Sequence, residues 1–204
     1  MYIPEEFNVS DRKSITKFIS EYNFGMLILN GIDGMPVVSH LPFVLKEIEH
    51  EFVLEFHLAK ANTQAVMIKN GTLGKVVVNG PNAYVSSSVY GHVNVPTFNY
   101  QAVHLMGSLE ILSKDELVQH SKELVALFES KREKQVDTSI WTKEMLESYS
   151  NEIIGVRLNV FKVEAAFKLS QNRNDEDYQA IIEDLSGGNW NEKALAQEMK
   201  KWKK

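Results

Sequence analysis

The chain contains no cysteine. That absence removes disulfides, thiolate metal sites and thiol catalysis together, and it agrees with a reducing compartment. Arginine is scarce as well: only Arg12, Arg132, Arg157 and Arg173 occur, scattered along the sequence. With a formal net charge of −5 and a pI near 5.7, a protein that binds DNA over its whole surface is disfavoured, because such binding rests on neutralising phosphates. The one basic cluster, Lys200, Lys201, Lys203 and Lys204, sits at the C-terminus, where cations complement the negative end of a helix dipole. No segment approaches the roughly 20 continuous apolar residues of a membrane span. The opening Met1-Tyr2-Ile3-Pro4-Glu5-Glu6 lacks the charged and apolar regions of a signal peptide. A cytoplasmic location without a membrane partner is therefore expected. Gly-rich phosphate loops are missing too. Asn30-Gly31-Ile32-Asp33-Gly34 and Ser186-Gly187-Gly188 have neither the dinucleotide pattern nor the P-loop lysine and read as turns. The histidines His40, His50, His57, His92, His104 and His120 show no i, i+4 pair suited to zinc. No metal is expected, and His40 and His57 are the pair that adjacent strands would bring closest.

What is present suits a sizeable core. The 204 residues are 44% hydrophobic and 24% charged, enough for one domain or one domain with an appendage. Ile15, Phe18 and Ile19 recur at helical spacing between Asp11 and Tyr22, with Ser10 or Asp11 as the cap. Phe24 to Leu29 and Met35 to Leu41 flank the turn residues Asn30-Gly31 and Asp33-Gly34 and form a hairpin signal. Phe43 to Ile48 and Phe52 to Leu58 form a second pair, in which Phe52, Leu54 and Phe56 alternate with Val53, Glu55 and His57. A short helix is expected over Thr63 to Lys69, ended by Asn70-Gly71. Lys75 to Asn79 and Ala83 to Ser86 read as two strands around a Gly80-Pro81-Asn82 turn. Tyr100 to Leu112 and Ile153 to Val163 complete the strands. Helices are expected at Lys114 to Lys134, capped by Ser113, at Ile140 to Ser150, at Asp175 to Leu185 and at Glu192 to Trp202. The pattern predicts a mixed α+β fold, mainly antiparallel β, closer to a small barrel than to a doubly wound sheet.

Two dense polar clusters stand beside strand-like runs: His57-Leu58-Ala59-Lys60-Ala61-Asn62, and Val95-Pro96-Thr97-Phe98-Asn99-Tyr100 followed by His104. Such side chains at strand ends offer donors for a phosphate and for a heteroaromatic ring, and equally serve as turn and cap residues. Together with Met1-Tyr2-Ile3-Pro4, Ser39-His40-Leu41-Pro42, Gly80-Pro81-Asn82-Ala83-Tyr84-Val85-Ser86 and Lys168-Leu169-Ser170-Gln171-Asn172-Arg173, they occur in the order seen in the PaiB family. The chain resembles that family over residues 1 to about 185, leaving 186–204 as a C-terminal helical extension. The resemblance implies a split β-barrel with peripheral helices, related to pyridoxamine phosphate oxidases and flavin reductases, which form homodimers with FMN at the subunit interface.

On that resemblance, the cofactor-binding candidates are His57, Lys60, Asn62, Tyr84, Ser86, Asn99, His104, Lys168, Gln171 and Asn172. Lys60 is assigned to the phosphate, aided by a helix N-terminus near Thr63, and Asn62 to the ribityl chain or to capping that helix. Asn99 and His104 suit the ring edge or a substrate, and a core role serves His104 equally. Tyr84 and Ser86 suit the ring or ribityl hydroxyls, with packing the alternative for Tyr84. Lys168, Gln171 and Asn172 suit a reach across to a partner's flavin, or a solvated loop before the helix from Asp175. The family's usual arginine in the His-Leu-Ala-Arg-Ala-Asn run is Lys60 here, which keeps the charge but loses bidentate geometry. The implied role is that of a negative transcriptional regulator of degradative-enzyme or sporulation genes, which brings DNA in as a partner. The alternative is an FMN-dependent oxidoreductase or flavin reductase using NAD(P)H.

Overall fold

The computed structural model describes residues 1–202, so that Lys203 and Lys204 of the basic cluster lie outside the described residues. Seven strands form one sheet: β1 (Phe24–Asn30), β2 (Pro36–Pro42), β3 (Val44–Ile48), β4 (Glu51–Ala59), β5 (Leu73–Val85), β6 (Thr97–Ile111) and β7 (Ile153–Lys168), ordered β2-β1-β5-β6-β7-β4-β3. Five α-helices accompany them among the described residues: α1 (Arg12–Glu21), α2 (Lys114–Glu129), α3 (Lys143–Glu152), α4 (Asp175–Gly187) and α5 (Trp190–Trp202). The fold is mixed α+β and mainly antiparallel, as the residue pattern predicts.

The chain divides into two compact units, one comprising Met1–Phe18, Asn79–His104 and the residues from Glu164 onward, the other Ile19–Val78 and Leu105–Val163. In the second unit β1 and β2 pair from Phe24↔Pro42 to Asn30↔Pro36. The connecting turn closes with Gly31 N donating to Met35 O and with Gly34 at φ +81°, a conformation that glycine adopts without Cβ strain. The strands β3 and β4 pair from Val44↔Glu55 to Ile48↔Glu51, and β4 pairs antiparallel with β7 from Val53↔Asn159 to Ala59↔Ile153. Leu27, Phe43, Leu54, Phe56 and Leu158 are fully buried there. Helix α2 opens on a capping box, with Ser113 Oγ accepting from Glu116 N and the Glu116 carboxylate accepting from Ser113 N.

In the first unit Asp11 caps α1, its carboxylate accepting from Ser14 N and Ser14 Oγ. The Phe18 ring lies 4.9 Å from that of Phe167. Helix α4 is capped by Asn174, which accepts from Asp177 N. Helix α5 buries Leu195, Ala196 and Met199 in this unit, and the Met199 carbonyl accepts from Tyr178 Oη. The boundary expected at residue 185 falls inside α4.

Three local expectations are corrected. Residues 63–67 form turns and 68–69 are irregular, with no helix. The Asn62 side chain supplies a local acceptor to the backbone two residues on, which favours an Asx turn over helical continuation. Gly71 does take the left-handed conformation, at φ +88°, but it ends a turn. The Gly80-Pro81-Asn82 segment lies within β5, which runs unbroken as Pro81, Ala83 and Val85 point inward. Gly80 is needed because a Cβ there would stand 2.7 Å from Phe18 Cε2. Finally, β7 extends through Lys168, beyond the expected end at Val163.

Candidate functional site

At the end of β4 the chain reverses through a tightly bonded turn. Asn62 N donates to Ala59 O, Ala65 N donates to Asn62 O, and Asn62 Oδ1 accepts from Gln64 N at 2.8 Å. Asn62 Nδ2 donates to Ser39 Oγ at 2.9 Å on β2, which joins the Ser39-His40 and His57–Asn62 motifs. The buried Gln64 locks this junction, since its Nε2 donates to Leu27 O and Val37 O. Sequence reasoning overlooked Gln64, whose role depends on carbonyls roughly thirty residues away.

Lys60 Nζ donates to Asn151 O at 2.7 Å, which leaves two of its three N–H bonds for another acceptor. It lines a cavity of about 420 Å³ with Lys114, Ser150 and apolar residues including Ile111, Leu112 and Ile153. Two lysines line it, and no carboxylate is among the described lining residues. The helix start once expected near Thr63 does not contribute. Lys114, at the first position of α2, was not anticipated; its signal is the Ser113 cap immediately before it.

His57 faces a different cavity. Its Nδ1 lies 3.2 Å from His120 Nε2, and its Nε2 lies 3.4 Å from Tyr149 Oη. Burial lowers its pKa below the usual histidine value. His120 is fully enclosed in α2, and burial, followed by repulsion from His57, pushes it down to about 4. Both imidazoles are accordingly neutral at pH 7. The cavity of about 770 Å³ beside them is walled by α2 and by the segment from Trp141 to Glu152. His40 is exposed on β2, and the histidine that His57 contacts is His120. Among the described residues no group of three His, Asp or Glu side chains is arranged to hold a metal.

The other predicted residues belong to the first unit. Asn99 is completely buried, its amide bonded to Ser170 Oγ and facing Met199 Sδ at 3.8 Å. Gln171 accepts from Leu169 N and donates to Phe167 O and Glu6 O. Those bonds hold the turn at Ser170, whose φ is +60°. Both amides are thus engaged inside the unit. Lys168 Nζ donates to Thr97 Oγ1 at 2.7 Å and stands 5.7 Å from the centre of the Phe7 ring. Ser86 Oγ accepts from Ser88 N as the cap of a single 3-10 turn. Tyr84 and Asn172 are exposed, and His104 is half-buried on β6.

Solved structures of similar fold include the FAD- and haem-binding protein of Mycobacterium smegmatis, 16% identical, covering 90% of this chain and 80% of that one, with a TM-score of 0.61. The flavocytochrome Anf3 of Azotobacter vinelandii is 14% identical over 85% of this chain and 75% of its own, with a TM-score of 0.56. The fold is that of the flavin-binding split barrels. Residues 1–162 match a family model described as "Putative FMN-binding domain". The chain is 37% identical over 203 residues to "Protease synthase and sporulation protein PAI 2" of Bacillus subtilis (strain 168), covering 98% of this chain and 96% of that protein. The chain belongs to the PaiB family.

Proposed function

We propose that this protein is an FMN-binding homodimer that acts as a negative regulator of transcription. The observation that carries the flavin reading is the cavity beside the turn after β4, with two lysines and no carboxylate among its described lining residues. A phosphate needs cations and N–H donors, and a ribityl chain needs hydroxyl and amide partners. Lys60 and Lys114 would hold the phosphate, while Asn62 and Ser39 would hold the ribityl hydroxyls. Apolar Ile111, Leu112 and Ile153 line the same cavity. Tyr84, Ser86, His104, Lys168 and Asn172 stay flavin-binding candidates on the family resemblance. Bound FMN supplies a redox-active ring, and the protein residues position it.

The regulatory part rests on the 37% identical relative, whose name couples protease synthesis with sporulation. Titration of FMN followed by its own fluorescence tests the first part: saturable binding of one FMN per chain is expected, about tenfold weaker in Asn62→Ala. Absence of quenching would remove the flavin reading. A mobility shift on promoter DNA that fades with added salt and changes on adding FMN tests the second. A shift indifferent to FMN would separate regulation from the cofactor.

A further inference from the structure

The cavity beside His57 has no part in the proposed flavin site, yet it is built like a ligand pocket. Its volume of about 770 Å³ lies within the roughly 300–1,000 Å³ of small-molecule sites. Leu124 and Val125 of α2 form one wall, with Trp141, Met145, Leu146 and Tyr149 opposite. Met145 and Tyr149 remain 55% and 51% exposed, so large apolar side chains line a space that nothing else in the unit fills. Among the described lining residues there is no lysine or arginine, and the one charge is Glu152. An anionic ligand would find no counter-charge there.

The polar end of the cavity has a defined direction. His120 Nδ1 is buried without a hydrogen-bond partner. Were His57 the donor of the 3.2 Å bond to His120, His120 would carry its proton on Nδ1 and bury an orphan N–H. An unpaired acceptor is the less costly orphan. His120 Nε2–H is therefore assigned as the donor to His57 Nδ1, which leaves the His57 proton on Nε2. Among the described residues, the acceptor it faces is the Tyr149 hydroxyl at the long distance of 3.4 Å, a contact that an oxygen of better geometry would displace.

We propose that this cavity binds an uncharged one- or two-ring aromatic molecule bearing a hydroxyl or carbonyl oxygen, with its ring against Trp141 and Tyr149 and its oxygen accepting from His57 Nε2–H, separately from the flavin. Titration of the full-length protein with naphthol, naphthalene and naphthoate by calorimetry tests it. Naphthol is expected to bind one per chain, about tenfold tighter than naphthoate. His57→Phe should weaken naphthol about tenfold and leave naphthalene unchanged, a split that loss of structure would not give. Met145→Trp, placed at an exposed rim position, should block both without unfolding the chain. Saturating FMN and Lys60→Ala should leave naphthol binding as it was. The proposal is overturned if naphthol fails to bind, if His57→Phe weakens naphthol and naphthalene alike, or if Met145→Trp binds like the wild type. Displacement of naphthol by FMN would overturn the separateness of the two sites.

Discussion

Glu55 is the residue whose surroundings were least legible from its place in the chain. Alternation placed it opposite the core row of β4, yet it is 1% exposed. Its Oε1 accepts from Arg157 Nε and Nη2 at 3.0 and 2.7 Å, and its Oε2 meets Lys46 Nζ at 2.7 Å. Those cations also reach Glu116 and Glu123. Removing the central charge takes from both cations their buried partner and leaves them only the more exposed ones, so Glu55→Gln is expected to cost about 3 kcal/mol, read as a lower urea midpoint at unchanged slope. Loss of the midpoint shift would show the pairs to be replaceable. His120 makes a second prediction. Its folded-state pKa, about 4, is below the unfolded value of 6.5, so between those values the unfolded chain holds more protons. Stability is then fully present above about 6.5 and falls as pH drops towards 4. His120→Phe should flatten that part of a stability-against-pH curve, and an unchanged slope would contradict the assigned burial. The contact with His57 was hidden because the two residues lie 63 positions apart and His120 stands outside the motifs that include His57.

Among the elements, those with a strong period were readable and those set by one packing contact were not. The β1–β2 hairpin follows from its apolar run and turn residues, and α2 begins at Ser113 as expected. Strand β5 defeated the turn rule because Gly80-Pro81 usually punctuates a chain, whereas here the glycine admits the Phe18 ring. Gly80→Ala would force that ring aside and is expected to cost about 1–3 kcal/mol as an overpacked core site, seen as a lower melting temperature. A neutral result would return Gly80 to an ordinary turn role. Residues 63–69 have helical composition, but Asn62 diverts the backbone and Gln64 fixes the turn to β1 and β2. The cost of Gln64→Ala should exceed that of Asn172→Ala, an exposed site where about 0.5 kcal/mol or less is expected.

On the scale of the whole molecule, the mixed, mainly antiparallel fold and the family were legible because strand alternation and the ordered motifs run through most of the chain. The site was legible only in part. Lys60 and Asn62 stand at one junction, whereas Asn99 and Gln171 spend their amides inside their own unit, a distinction that residue type cannot convey. The final helix, beyond the span of the matched family model, buries Met199 in that unit. No helix among the described residues is long and apolar enough to cross a membrane. The account centres on a phosphate held by Lys60, and the most direct measurement compares FMN with riboflavin, its phosphate-free analogue, in wild type and Lys60→Ala by fluorescence titration. The wild type is predicted to prefer FMN, and Lys60→Ala to lose about tenfold for FMN, or roughly 1.4 kcal/mol, while riboflavin binding stays constant. Equal affinities for the two flavins, or equal losses for both in the variant, would contradict it.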